Sequence, residues 1–376
     1  MRLLSVELMT LRMPLVTPFT TSFGTQTERF PLLLCVTAAH KGEEVEGWGE
    51  CVALVDPVYS SEYLDGAREV LSRYLIPALF DYQDSGREIT AETLDDCWGH
   101  IVGHRMAKAA LEMAVLDAQL RSQGRSYAES LGVTRSHVPS GVSVGIQNSI
   151  PDLLSTVGGY LDYGYMRIKL KIRPGWDYEP VRAVRDRFGN IPLQVDANAS
   201  YRLSDAPELR KLDLFDLLLI EQPLAEDDLH QHAELAQQMT TPMCLDESIV
   251  SAAAAASAIS VGAAAVINIK PGRVGGYLEA QRIHDLAQAH GIAVWCGGML
   301  ETGVGRAANA ALAGMPGFTL AGDISASDRF YAQDITEPMR MQGGYIRIPT
   351  GEGFGAAPLP DALADVTITS MKHNAV

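Results

Sequence analysis

Arg167-Ile168-Lys169-Leu170-Lys171-Ile172 is a short apolar run carrying two lysines at positions i and i+2, and its like recurs along the chain. Leu193–Asp196, Leu217–Glu221, Met243–Asp246 and Val266–Lys270 are also apolar, and each ends on a charged side chain. Lys171, Asp196, Glu221, Asp246 and Lys270 stand 25, 25, 25 and 24 positions apart. A fixed period of this size marks a repeated supersecondary unit. It has room for one strand, one helix and two loops, so the unit is βα and the array closes as a parallel barrel. The beat begins at Val142–Ile146 and continues through strand ends near positions 171, 196, 221, 246, 270, 296 and 322. The expectation is an α/β fold, a TIM-like (β/α)7β barrel spanning 126–324.

Residues 1–125 do not share the beat. Leu3–Arg12, Leu32–Ala38 and Glu46–Cys51 read as antiparallel strands, and Glu62–Tyr74 and Met106–Ser122 as helices. Between the first two strands lies the Thr/Gly-rich stretch Pro18–Thr25, read as a loop able to fold over a site. The pattern predicts an α+β capping domain, completed by residues 325–376, in which Tyr345–Ile348 returns as a strand to the first domain.

A formal net charge of −16 on 376 residues excludes a nucleic-acid binder, which needs a basic footprint. Five scattered cysteines without a C-x-x-C pair speak against a disulfide framework or a zinc knuckle and for a reducing, cytoplasmic setting. The N-terminus carries no secretory pattern. The uncharged stretch Ala252–Ile269 is largely alanine, too weakly apolar for a membrane span, and reads as a buried barrel helix leading into a strand.

Side chains at i and i+2 of a strand share a face, so Lys169 and Lys171 both point into the barrel. Desolvation and like charge would lower the pKa of each, which is how a lysine becomes a base near neutral pH. Asp196, Glu221 and Asp246 are hard oxygen donors at equivalent positions of three successive units, a set that suits Mg²⁺. Each alone could cap a helix; three in register make that reading improbable. Lys270 follows on the next strand, opposite Lys171 in a barrel of eight. Two lysines flanking a metal-bound carboxylate predict α-proton abstraction, with the resulting enediolate held by the metal. His100 and His104 read as a helix face, and His230-x-His232 as a solvated helix start. The glycine-rich run Gly272–Gly276 lacks nucleotide-binding spacing.

With Lys169-Leu170-Lys171, Asp196-Ala197-Asn198, Glu221-Gln222-Pro223, Asp246-Glu247-Ser248, Lys270-Pro271-Gly272 and Gly47-Trp48-Gly49-Glu50, the chain resembles the enolase superfamily in its muconate-lactonizing-enzyme subgroup, along essentially its whole length. Within the subgroup it is similar to the o-succinylbenzoate synthases that overlap with N-succinylamino acid racemases. Pro18–Gly24 resembles their mobile capping loop, and Trp295–Gly303 and Gly322–Asp328 the ends of their seventh and eighth strands.

The resemblance implies a Mg²⁺ enzyme, with Mn²⁺ able to substitute, acting on a small carboxylate in menaquinone synthesis, and a homo-oligomer. It implies Lys171 as the base that starts the reaction, Lys169 as electrostatic support and Lys270 as the opposing acid/base. Phe19, Ser143, Asn198, Gly298, Met299 and Arg273 would contact substrate. On its own Arg273 reads as a surface arginine at a helix start; the resemblance assigns it the lowering of the Lys270 pKa that racemisation needs. Ser325 stands where dipeptide epimerases carry the second acid of Asp-x-Asp, and Val294–Thr302 lacks the histidine base of mandelate-racemase-like members. A cycloisomerase of the same subgroup and a non-catalytic barrel are the competing readings.

Overall fold

Gly47 and Gly49 dictate how the N-terminal part assembles. A Cβ on Gly47 would lie 2.2 Å from the Ala114 carbonyl oxygen, and one on Gly49 2.0 Å from that of Ala110. Only glycine lets strand Glu43–Cys51 lie flat on the alanine-rich face of helix Arg105–Ser122. The computed structural model, which describes residues 1–375, places this strand at the edge of an antiparallel sheet. The order is Thr367–Asn374, Arg2–Leu11, Leu32–His40, Glu43–Cys51. Alternation along the third strand sends Leu32, Leu34 and Val36 into the core beneath the sheet, while Leu33 and Cys35 join the core shared with the barrel.

Several expectations change here. The strand that returns to the first sheet is Thr367–Asn374; Tyr345–Arg347 pairs instead with Met341–Gln342 and with His137–Pro139 beside the barrel. The stretch expected as a loop is the tip of a hairpin, Met13–Thr21 with Gly24–Arg29, where Val16, Thr17, Thr20, Thr21, Thr25 and Thr27 favour extended backbone. The first helix runs on past Tyr74: Leu64–Val70 passes through a π turn, Leu71–Leu75, into Ile76–Asp84. Pro77 cannot donate to the carbonyl four residues back, and the wider turn absorbs that missing bond. His100 and His104 lie exposed in a turn, with His104 at φ 53°. His230 is solvated as expected, but His232 is fully buried and its Nε2 accepts from the Leu224 N–H at 3.2 Å.

The barrel has seven parallel strands in sequential order: Gly141–Val144, Arg167–Lys171, Leu193–Asp196, Ile220–Glu221, Met243–Leu245, Val266–Ile269 and Ala293–Cys296. The eighth position is filled without a regular strand. Phe318 bridges Val294 and Gly322 bridges Ser140, so residues 318–323 span the gap between the last and first strands. The Arg167 guanidinium bonds the Ala321 carbonyl at 2.8 Å, taking an acceptor that a ladder would have used. Period-two geometry then sorts the interior by height. Leu219, Cys244, Val266 and Trp295 form an apolar plug, and two residues on along the first three of these strands come Glu221, Asp246 and Asn268, all buried.

Two carboxylates from the N-terminal part fasten it to the barrel. Glu50 accepts from Thr302 N (3.0 Å), Thr302 Oγ1 (2.7 Å) and Gly305 N (3.1 Å), at the start of helix Gly303–Leu312. Glu112 accepts from Tyr277 N (3.0 Å) and Leu278 N (2.9 Å), opening helix Tyr277–Ala289. Both use the orphan N–H groups of a helix terminus. Replacing Glu112 by Ala is expected to cost roughly 2–4 kcal/mol in urea unfolding, since the Tyr277 and Leu278 N–H groups lose their acceptor.

Burial pushes both carboxyls from 4.5 to about 7, against the pull of the donated hydrogen bonds. Between those values the native state keeps protons that the unfolded chain has released. Their contribution to stability is therefore full below pH 4.5 and is lost as the pH rises through 7. Thermal midpoints measured from pH 5 to 8 should fall less steeply in Glu112→Gln than in the parent chain; parallel curves would show that Glu112 does not titrate in this window.

Candidate active site

The register of the barrel strands brings the charged residues together. Lys171 is the partner of Asp196, and Asp196 of Glu221, across parallel ladders. Asp246 follows two residues after Cys244, the ladder partner of Glu221. Lys171 Nζ lies 2.6 Å from Asp196 Oδ2 and 2.6 Å from Asn198 Oδ1. Lys169 Nζ reaches Asp196 (3.2 Å), Glu221 (3.1 Å) and Asp323 (2.7 Å), and stands 4.6 Å from the Trp295 ring centroid. Lys270 Nζ donates to Asp246 Oδ2 at 2.7 Å, and Arg273 Nη1 donates to Asp246 Oδ1.

The backbone after these strand ends is bent hard. Asn198 (φ 42°), Ala199 (φ 59°), Gln222 (φ 37°) and Leu300 (φ 61°) all lie in the left-handed region, where a non-glycine residue is strained. Side chains hold the bends. Gln222 Oε1 accepts from Asp246 N (3.0 Å) and Ser248 N (3.2 Å), tying the turn after the fourth strand to that after the fifth. Gly297 must lack a side chain, because its Cβ would lie 2.8 Å from Lys270 Cε.

Lys169, Lys171 and Lys270 open on one cavity of about 680 Å³, lined also by Phe19, Ser143, Asn198, Gly298 and Met299. Arg273 does not line it: the side chain is buried behind Asp246, donating to the Ile249 and Asn268 carbonyls (3.1 and 2.9 Å). The expectations of a surface position and of substrate contact both give way to a role behind the carboxylate.

The cavity is also lined by Tyr59, Leu54 and Phe330, which the sequence reading missed, and by Phe23 and Leu300, which it named only inside motifs. It named Asp323 only as part of a strand-end motif, yet Asp323 joins Lys169, Arg167 (2.8 Å) and Ser143 Oγ (3.1 Å). It also left Glu247 without a role. Glu247 Oε1 accepts from Asn198 Nδ2 at 2.9 Å, while its Oε2 is buried without a partner. Asp323, Glu247 and Leu300 carried a signal inside motifs at strand ends, and Phe23 inside the capping-loop motif; Tyr59, Leu54 and Phe330 are apolar or aromatic residues outside any motif.

Electrostatics also depart from expectation. Burial pulls Lys169 down, but Asp323 and Glu221 outweigh it and hold it above the ordinary lysine value. Burial likewise acts on Lys270 and is outweighed by Tyr59, Glu247 and Glu221. Ion pairs at hydrogen-bond distance, absent from the sequence argument, win over desolvation. Asp196 is held low by Lys171 and Lys169 against its burial, whereas burial and then Asp196 raise Glu221. Burial, with Asp196 next, pushes Glu247 up to about 7.

Asp196, Glu221 and Asp246 offer the donor chemistry of a hard divalent cation. Among the described residues their oxygens are not gathered as metal donors, because Lys169 spans the first two and Lys270 with Arg273 holds the third. Five carboxyl groups, Asp196, Glu221, Asp246, Glu247 and Asp323, stand among five basic side chains, Arg167, Lys169, Lys171, Lys270 and Arg273. Burial and the Asp196 charge still raise Glu221 and Glu247, a repulsion that an added cation would relieve. The set fits a divalent ion in kind.

A barrel with lysines and carboxylates at its carboxyl-end mouth, roofed by an α+β domain, defines a class of enzymes that draw a proton from carbon. The chain belongs to the enolase superfamily. The model of the mandelate racemase / muconate lactonizing enzyme N-terminal domain matches residues 4–132, and the enolase C-terminal domain-like model residues 152–362. The chain is 63% identical over 369 residues to an N-succinylamino acid racemase of an Amycolatopsis species, covering 98% of each. It is 46% identical over 347 residues to an o-succinylbenzoate synthase of Geobacillus kaustophilus, covering 92% of this chain and 90% of the relative. The crystal structure of an enolase-superfamily member from Listeria innocua superposes with a TM-score of 0.94 at 38% identity, over 100% of both chains. Members of this superfamily depend on a divalent metal.

Proposed function

We propose that this chain is an o-succinylbenzoate synthase that also racemises N-succinylamino acids at the same site. The synthase reaction dehydrates 2-succinyl-6-hydroxy-2,4-cyclohexadiene-1-carboxylate for menaquinone synthesis. The observation that carries the reading is the presence of Lys171 and Lys270 on one cavity, each beside a different carboxylate of the strand-end series. Relatives bearing each of the two activities' names, at 63% and 46% identity, support it.

In dehydration Lys171 takes the α-proton and returns it to the departing hydroxyl, which leaves as water. Lys270 stays an ammonium and stabilises the anionic intermediate. In racemisation one lysine removes the proton from one face of the α-carbon and the other delivers a proton to the opposite face. Asp196, Glu221 and Asp246 would hold Mg²⁺, or Mn²⁺ in its place, which when bound neutralises the substrate carboxylate and acidifies the α-proton. Lys169 keeps its charge toward the same carboxylates. The apolar wall of Phe19, Phe23, Leu54 and Met299 keeps water from the intermediate.

We place the enzyme in the cytoplasm as a homo-oligomer. Five free cysteines support the compartment, family resemblance supports the assembly, and no helix among the described residues is long and apolar enough to cross a membrane. The test is one purified sample assayed for the synthase reaction and for α-proton exchange of N-succinylamino acids in D₂O. Turnover of a muconate and of neither of these would instead favour the cycloisomerase.

Arg273 separates the two activities. It holds one oxygen of Asp246 while Lys270 holds the other. Without it Asp246 is free to pair fully with Lys270, which deepens the ammonium form. Racemisation needs the amine form and dehydration does not. Arg273→Gln is expected to lower racemisation kcat/KM about 100-fold or more, and the synthase value about 10-fold or less. Equal losses would make Arg273 a purely structural partner of Asp246.

A further inference from the structure

The two lysines are oriented by different parts of the molecule. Lys171 donates to Asp196 and Asn198, both on the barrel. Lys270 donates to Asp246 on the barrel and, at 3.0 Å, to the hydroxyl of Tyr59, 211 residues earlier in the N-terminal part. Its Nζ also stands 4.8 Å from the Tyr59 ring centroid. An ammonium has three protons. Asp246 and Tyr59 take two, so their directions fix where the third points.

Tyr59 is itself held. Its loop is pinned by Leu64 N–H to the Leu54 carbonyl (2.7 Å) and by Glu62, which accepts from Met106 N at 2.8 Å at the start of the long helix. The ring packs against Phe23, at the turn of the hairpin, with centroids 6.1 Å apart. Among the described residues nothing comparable reaches Lys171.

We propose that Tyr59, whose hydroxyl also reaches Asp246 and Arg273 at the longer distance of 3.4 Å, is a positioning residue for Lys270 and not for Lys171, so that the N-terminal domain orients one base and the barrel the other. This rests on the two-lysine reading above. The consequence is an asymmetry between enantiomers: damage at Tyr59 harms the α-carbon face served by Lys270 and spares the face served by Lys171.

The experiment uses the full-length enzyme with Mg²⁺ and N-succinylamino acid enantiomers assayed separately for α-proton exchange in D₂O. Lys171→Ala first identifies the enantiomer whose proton Lys270 takes. Tyr59→Phe, which keeps the ring and the Phe23 contact, should slow exchange of that enantiomer at least about ten-fold and change the other less than about two-fold. Tyr59→Leu, which loses both hydroxyl and ring, should slow the same enantiomer further. Equal loss for both enantiomers, or no loss, overturns the assignment. A crystal structure of Tyr59→Phe gives the second readout. Lys270 should leave its present direction toward the cavity, and an unmoved Lys270 overturns the proposal even if the parent enzyme exchanges neither enantiomer, an outcome that would separately sink the functional reading.

Discussion

Lys171→Ala and Lys270→Ala should each lower racemisation by at least about 1,000-fold, since each removes the only base on one face of the α-carbon. The two should then part company. Lys171→Ala should abolish the synthase reaction as well, because the same lysine takes the α-proton and returns it to the leaving hydroxyl. Lys270→Ala should leave a measurable synthase residue, because there the ammonium only stabilises charge. Exchange of one enantiomer in D₂O should survive in each mutant, and it should be the opposite enantiomer in the two. Undiminished racemisation in either would show that the cavity does not use two bases.

Metal removal should be as severe. Chelation is expected to abolish both reactions, and added Mg²⁺ or Mn²⁺ to restore them. Asp246→Asn should weaken metal affinity at least about 100-fold by calorimetry, because the substitution removes a charged donor and leaves Lys270 and Arg273 facing a neutral amide. Its effect should exceed that of Asp323→Asn. Asp323 is bound to Lys169, Arg167 and Ser143 and supports the cluster from the side. Full turnover without a divalent ion would remove the basis for reading Asp196, Glu221 and Asp246 as ligands.

The sequence was clear where geometry is periodic. Charged residues spaced by one βα unit had to meet at one end of the barrel, and the i, i+2 lysines of Arg167–Lys171 had to share a face. It was unclear where the chain leaves the period. Pro18–Thr25, the tip of the hairpin Met13–Arg29, read as a loop because its threonines are polar, although their branching favours strand. Tyr345–Arg347 pairs beside the barrel and Thr367–Asn374, not read as a strand, returns to the first sheet, because short strand propensity does not name a partner. The eighth barrel strand was expected from spacing, but the Arg167 side chain and two single bridges fill its place.

What the sequence determined by itself was the βα repeat, the face on which five charged residues gather and the family to which the pattern belongs. These follow from local periodicity, which needs no partner. Only the tertiary structure decided that Arg273 lies behind Asp246, that carboxylates packed around Lys169 and Lys270 oppose their desolvation, and that Tyr59 reaches Lys270. Each depends on groups far apart in the chain meeting at hydrogen-bond distance in a dry interior. Coulomb attraction there outweighs desolvation, and sequence spacing carries no record of it.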